Sequence, residues 1–402
     1  MRPFGDTIPL EEARAIIART GEPIARTERI PIEHANHRVI SASVVASSDV
    51  PPFSRAAMDG YAVRASDTHG ASKANPKVLR HAGTLYTAQV SKTSLAPGQC
   101  IEIATGAPVP PGADAVVMVE ETDTESDGRV RIYAEAKAGQ NIGRQGADIS
   151  AGQTVLSAGD VINSSRIGAL AAVGIASVEV YQQPRVAILS TGNEIVEPGT
   201  PLLAGQIFDI NRFTLSAVVS ENGGQPVPLP PAGDDLSALN ASLQEALKHD
   251  VVVFSGGSSV GERDLMLDVL SAQGSVLFHG ISVKPGKPTG FALIAGKPVF
   301  AMPGYPASCL TNAHMLLAPL LRRLARLGPK RVRTVNLPLA ERVTSPANRH
   351  QFYTVKIADG QAVPVFKASG DITSMSLADG YIEIQTEIET VEAGTMVEVT
   401  LF

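Results

Sequence analysis

Val251-Val252-Val253-Phe254-Ser255-Gly256-Gly257-Ser258-Ser259-Val260-Gly261-Glu262-Arg263-Asp264 is the stretch from which the fold of this chain can be read. Its first four residues are apolar without alternation, and three are β-branched. That pattern predicts a strand covered on both faces, as in parallel sheets flanked by helices. The strand runs into a small, Gly-rich turn, and Asp264 then stands where a helix over 264–272 begins. The same unit recurs on either side. Upstream, Val186–Leu189 leads into Ser190-Thr191-Gly192-Asn193-Glu194, and a helix near Phe213–Glu221 is stopped by Asn222-Gly223-Gly224. A further helix, Leu236–Lys248, places Leu236, Leu239, Leu243 and Leu247 at three- and four-residue steps. Downstream, Ser275–Phe278 leads to His279-Gly280 and Lys284-Pro285-Gly286-Lys287-Pro288. Pro298–Met302 leads to Pro303-Gly304-Tyr305-Pro306-Ala307-Ser308 and a helix to Leu327. Residues 182–328 are therefore expected to form a doubly wound, largely parallel α/β domain.

The flanks read differently. A helix is expected over Leu10–Thr20, with Leu10, Ala13, Ile16 and Ile17 on one face. Short β-branched runs between Gly, Pro and Asp turns (Val78–His81, Gln99–Ala104, Ala115–Glu121, Val130–Ala134) predict a β-rich domain over 46–146. It is inserted in a mixed helical/β domain made of 1–45 plus 147–181, with a helix at Ser165–Val173 and a strand at Ala176–Tyr181. The tail, 329–402, returns to short strands and closes on the alternating Thr395–Phe402, a small barrel-like β domain. The fold class is thus multidomain α/β and β, as a length of 402 residues requires.

Composition narrows the function. Thirty-four basic against forty acidic side chains give a net charge of −6, and no basic run is dense enough for a broad nucleic-acid surface. A small anion needs only a local cluster of cations and backbone N–H groups. No stretch approaches the ~20 charge-free apolar residues of a membrane span, and the first residues hold no apolar signal core, so a cytoplasmic protein is expected. Cys100 and Cys309 lack metal-site spacing and read as buried thiols in a reducing compartment.

In open α/β sheets ligands bind beyond the carboxyl ends of the strands, and the unusual turns all follow strands. Ser255, Gly256, Gly257 and Ser259 form a small turn whose backbone can approach a phosphate, although it has neither Walker nor G-x-G-x-x-G spacing and a plain tight turn reads equally well. Lys284 and Lys287 bracket a Pro-Gly kink. On a stiff turn, two ammonium groups suit a multiply charged oxyanion; a solvated loop is the bland alternative. Pro303, Gly304, Pro306 and Ser308 open a helix whose free N–H groups offer an anion site. Glu194, Asp209, Asp234 and Asp264 stand in or beside these turns, where carboxylates commonly hold a divalent cation; Asp234 and Asp264 also sit where helices begin. In the first half, Pro51–Val63 exposes Ser54, Arg55 and Asp59 around an Asp59-Gly60 turn. That loop suits a simple hairpin, or a site completed across a domain or subunit boundary.

Together these motifs resemble the molybdopterin molybdenumtransferases of the MoeA type, also seen as the E domain of gephyrin. The resemblance is carried by Asp59-Gly60-Tyr61-Ala62-Val63, Thr105-Gly106-Ala107-Pro108-Val109-Pro110, Ser190–Glu194, Asp209-Ile210-Asn211, the Ser-Gly-Gly segment through Asp264, Lys284–Pro288 and Pro303–Pro306. It departs at Ser258, where relatives have an apolar residue, at Asn193, where some members have Asp, and at Tyr305, where Asn is common. The resemblance implies a four-domain homodimer with a MogA-like α/β domain and a cleft shared between subunits. It implies insertion of molybdate into adenylylated molybdopterin with release of AMP, assisted by a divalent cation such as Mg. By that likeness Asp59 and Thr105 enter from the partner subunit, and Glu194, Asp234 and Asp264 serve the metal. Lys284, Lys287, Arg349 and Ser369 hold molybdate. Contact with a molybdopterin adenylyltransferase is a further expectation. Two rival readings are an adenylyltransferase, which shares the α/β module but stands as one small domain, and a non-catalytic scaffold of the gephyrin type.

Overall fold

The computed structural model describes residues 7–233, 235–256 and 265–402. They fall into two compact units, one of the described residues within 7–28, 37–39 and 181–402, the other of residues 29–36 and 40–180.

The first unit is built on a six-stranded sheet in the order Gln225–Pro228, Arg185–Ser190, Val251–Ser255, Lys297–Met302, Gly290–Ile294, Ser275–His279. The first four strands run parallel. Gly290–Ile294 is an addition to the sequence reading. It pairs antiparallel with Lys297–Met302 through a two-residue turn, Ala295-Gly296, whose φ values of 49° and 75° supply the left-handed geometry a tight hairpin needs. Ser275–His279 pairs antiparallel with that strand in turn. Two reversals restore direction, so Ser275–His279 points the same way as the parallel strands.

Both faces of the sheet are covered, which is why its strands are continuously apolar. On one face Val186, Ile188, Val253 and Phe300 pack with Leu215 and Val219 of the Asn211–Glu221 helix and with Leu10, Ala13 and Ile17 of the Leu10–Ala18 helix. On the other, Ala187, Leu189, Val252 and Phe254 meet Leu239 and Leu243 of the Leu236–Ala246 helix and Val269 and Leu270 of the Leu265–Gln273 helix. The long helix expected after Ala307 is interrupted. Pro306–Asn312 and Ala318–Leu324 are α-helical, and Ala313–Leu317 between them is a π-turn. Pro319 has no N–H to give to the carbonyl of Met315, and the widened turn absorbs that loss.

The C-terminal sheet has the order Val283–Lys284, His350–Ala358, Gly380–Ile384, Met396–Leu401, Thr334–Pro338, with Gln361–Pro364 hairpinned onto His350–Ala358. Leu339, Val355, Ile382, Ile384 and Val399 form its core. Its outermost member, Val283–Lys284, is contributed by the lysine-bearing turn of the α/β domain, with Val283 opposite His350 and Lys284 opposite Gln351.

In the second unit a six-stranded sheet runs Ala115–Met118, Gly60–Val63, Gln99–Ile103, Lys77–Leu85, Arg129–Ile132, Thr122–Thr124. Gly60 is required there, since a Cβ at that position would lie 1.9 Å from the carbonyl oxygen of Val117. A separate core of Ile40, Leu156, Ile162, Leu170 and Val180 supports the Ser164–Ala172 helix, whose N-cap Asn163 accepts the N–H of Arg166 at 2.9 Å.

Candidate functional site

Strand register fixes the edge at which the unusual turns emerge. Ser190 lies opposite Ser255, and Ser255 opposite Met302. One residue back, Ala301 lies opposite Gly290, which lies opposite His279. The turns after Ser190, Ser255, His279 and Met302 therefore leave the sheet side by side. The extra strand shifts the lysine turn outward by one position without moving it to the other end.

At the centre the contacts are tight. A Cβ on Gly256, whose φ is 102°, would lie 2.5 Å from Thr191 O, and one on Gly304 would lie 3.4 Å from Gly256 Cα. At Gly256 the left-handed φ and the short distance to Thr191 O require glycine. Asn211 donates from Nδ2 to Gly304 O at 2.8 Å and holds the Pro303–Pro306 turn. Among the described residues, Thr191 Oγ1, Asp209 Oδ2 and Asn211 Oδ1 are buried without a hydrogen-bond partner, although Arg212 Nε lies 3.9 Å from Asp209 Oδ2. Two expected anion donors are already engaged: Gly256 N–H bonds to Met302 O at 3.2 Å, and Ala307 N–H to Ser369 O at 3.2 Å. An anion at this edge must therefore rely on other donors and on cations. Gly257 and Ser259 lie outside the described residues.

The lysine turn is rigid. Asn312 donates to Gly286 O at 2.8 Å and to Thr289 Oγ1 at 2.5 Å, and Thr289 returns a bond to Gly286 O at 2.9 Å. Lys284 is half-buried, with its Nζ 5.6 Å from the centre of the Phe366 ring. The C-terminal domain closes this side. Ser369 reaches Ala307 through its carbonyl, and Arg349 precedes His350, whose N–H bonds to Ser282 O at 2.9 Å. Lys284, Arg349, Ser369, Pro306 and the buried Ser308 are thus gathered in one region from two domains.

Among the three carboxylates expected to serve a metal, Asp234 and Asp264 lie outside the described residues. Glu194 is exposed, and its carboxylate folds back on its own turn, with Oε2 2.6 Å from where a Gly192 Cβ would stand. Ala232 bridges Thr191 in parallel, and Gly233 passes Asn193. Exposed carboxylate oxygens are donors that fit a hard divalent cation. Among the described residues no group of three His, Cys, Asp or Glu is placed to hold a metal ion.

In the second unit Asp59 and Thr105 meet directly. Thr105 donates its backbone N–H to Asp59 Oδ1 at 2.7 Å and its hydroxyl to the same oxygen at 2.9 Å. The backbone bond first, and the hydroxyl second, hold the Asp59 carboxyl below the ordinary carboxylate range. Phe53 and Met58, both exposed, precede Asp59 in sequence.

Three residues that hold the site together have roles the sequence did not assign. Asn211 was visible only as part of a motif, and Asn312 and Phe366 not at all.

Residues 8–174 match the family of the MoeA N-terminal region (domain I and II), 187–323 that of a probable molybdopterin binding domain, and 336–402 that of the MoeA C-terminal region (domain IV). The chain is 36% identical over 381 residues to molybdopterin molybdenumtransferase 2 of Mycobacterium tuberculosis, covering 92% of this chain and 94% of that protein. It is 34% identical over 318 residues to a molybdopterin molybdenumtransferase of Haemophilus influenzae, covering 79% and 78%. Two crystal structures of molybdopterin biosynthesis MoeA proteins from Pyrococcus horikoshii superpose with TM-scores of 0.84 and 0.80, at 40% and 30% identity. The first covers 98% of this chain and 99% of its own, the second 99% and 100%.

Proposed function

This chain belongs to the MoeA family of molybdopterin molybdenumtransferases, and from that premise we propose that it inserts molybdate into adenylylated molybdopterin, releasing AMP, in molybdenum cofactor biosynthesis. The observation that carries the reading is the meeting of strand-end turns, lysine turn and C-terminal domain at one edge of the sheet. Family matches in all three parts of the chain speak against a lone adenylyltransferase module.

Molybdate is a dianion, and the pterin substrate brings a pyrophosphate. Lys284 and Lys287, with Arg349 and Ser369, take molybdate. We assign the pterin nucleotide to the Ser255–Gly256 turn and the Pro303–Ser308 segment, together with Gly257 and Ser259. Thr191, Asp209 and Asn211 present buried acceptors to donor groups of that substrate. Mg would be held by Glu194, Asp234 and Asp264, and would neutralise phosphate charge. Positioning and charge neutralisation account for the chemistry, without a protein nucleophile.

Asp59 and Thr105 are read as completing the cleft from the partner subunit of a homodimer. The exposed Phe53 and Met58, close to Asp59 in sequence, support this. A cytoplasmic location and contact with a molybdopterin adenylyltransferase belong to the same reading. No helix among the described residues is long and apolar enough to cross a membrane.

The test is incubation of the protein with adenylylated molybdopterin, molybdate and Mg, following AMP release and cofactor formation. Turnover that falls about 100-fold or more in Lys284→Ala and in Glu194→Ala supports the reading. Absence of AMP release, or AMP transfer from ATP to molybdopterin instead, overturns it.

A further inference from the structure

A second cavity, of about 870 Å³, lies elsewhere on the first unit. It is bounded by the Leu10–Ala18 helix, the π-turn and the helix after it, the 328–332 segment, and the end of the last strand of the C-terminal sheet. Among the described residues, none of those assigned above to molybdate, pterin or metal lines it.

Its charge is one-sided. Arg14, Arg322, Arg323, Arg326, Lys330 and Arg331 line it, and no Asp or Glu side chain does so among the described residues. In a chain with net charge −6 that is a marked segregation. Bonds to backbone carbonyls explain part of it: Arg323 donates to those of Thr20 and Gly21, Arg326 to that of Ile24, and Arg322 to that of Gly328. Such bonds do not explain Arg14, Lys330 and Arg331. Arg14 is paired with Glu11 and touches Met315 Sδ. Lys330 and Arg331 are exposed and have no ion pair among the described residues.

The wall is apolar and aromatic. Met315, Leu401, Phe402 and Tyr381 form it, with the Tyr381 and Phe402 rings 5.7 Å apart and His314 6.2 Å from Phe402. The π-turn presents His314 and Met315 to this space, and such turns recur at functional sites. His314 is held neutral, its pKa lowered by burial and then by the charge of Lys330, against an opposing effect of Glu221.

We propose that this cavity is a second binding site, for a nucleotide-sized aromatic molecule bearing phosphate. Its flat body would lie on the Phe402–Met315 wall, and its charge would face Arg322, Lys330 and Arg331. The volume falls within the roughly 300–1,000 Å³ of small-molecule sites. Arginine forks match phosphate oxygens in pairs.

The experiment uses the intact protein and the fluorescent probe 8-anilinonaphthalene-1-sulfonate, an aromatic anion, with ATP as competitor. One probe should bind per chain, saturably, and ATP should displace it. Lys330→Glu with Arg331→Glu should weaken it about tenfold, Phe402→Ala should weaken and dim it, and Lys284→Ala should leave it bound. The proposal is overturned by an absence of saturable binding, by failure of ATP to compete, or by unchanged affinity in either the charge-reversed or the Phe402 variant. Loss of the probe in Lys284→Ala also overturns it, because the probe would then occupy the site at the strand-end edge.

Discussion

Thr105 gives both its backbone N–H and its hydroxyl to a single oxygen of Asp59, across 46 residues of sequence. Both bonds favour the ionised carboxylate, so the folded pKa lies below the unfolded one. The sign follows. The contribution of this pair to stability is fully present above the unfolded carboxylate value and disappears as pH falls through the lowered folded value. Thr105→Val keeps the N–H and removes the hydroxyl. We expect the Asp59 carboxyl carbon, followed by NMR, to titrate at higher pH in the variant, yet still below a free aspartate. An unchanged titration would mean that the hydroxyl does not hold Asp59.

Gly286 and Gly168 make a matched contrast. A Cβ on Gly286 would lie 2.2 Å from Asn312 Nδ2, at a φ of 102°, and would break the buttress of the lysine turn. Gly286→Ala should cost about 2–4 kcal/mol and lower the unfolding midpoint by several degrees. Gly168 is exposed within the Ser164–Ala172 helix, with open space where its Cβ would be. Gly168→Ala should raise stability by about 0.5–1 kcal/mol. Thermal or urea unfolding decides both, and equal effects would contradict the structural account.

These glycines also mark where sequence reading succeeds and where it stops. The strands Arg185–Ser190, Val251–Ser255 and Lys297–Met302 were legible because burial on both faces leaves a run of apolar residues. Their turns were legible because each follows such a run. The Gly290–Ile294 strand was not, since a short apolar run reads equally as strand or buried helix. The π-turn at Ala313–Leu317 has no local pattern beyond Pro319. Phe366 beneath Lys284, Asn312 behind Gly286 and Thr105 on Asp59 are long-range contacts. Nothing near either partner in sequence announces them.

Phe366 gives a test of the lysine's placement. With Lys284 Nζ 5.6 Å over the ring, the contact is worth about 0.5–1 kcal/mol. Phe366→Leu preserves bulk but removes the ring's attraction, so the ammonium should be less well held. We expect the KM for molybdate to rise roughly two- to fivefold with kcat little changed, the pattern of lost uniform binding. A fall in kcat at constant KM would assign Phe366 a different part.

The two thiols should be inert in the folded protein. Cys100 and Cys309 are fully buried and unpaired with each other. Burial pushes the Cys100 thiol up to about 12. Cys309 is pushed higher still, by burial first and then by the charge of Asp209. The thiolate is the reactive form. A thiol reagent such as Ellman's should label neither at pH 8 under native conditions and both in denaturant. Rapid native labelling of Cys309 would show that the helix after Tyr305 opens readily, against the packing described here.

If the homodimer shares its clefts as proposed, inactive chains can repair one another. Asp59→Asn disables what a subunit lends to its partner, and Lys284→Ala disables what it keeps. In a mixed dimer one cleft collects both substitutions and the other collects neither. After the two variants are unfolded together and refolded in equal amounts, half the dimers should be mixed, each with one intact cleft of two. Activity should then return to about one quarter of the unsubstituted level. Sites built within single chains would give no recovery, because every cleft would carry one substitution or the other. Light scattering on the same sample gives the mass, so a monomeric protein would be recognised directly rather than mistaken for failed exchange.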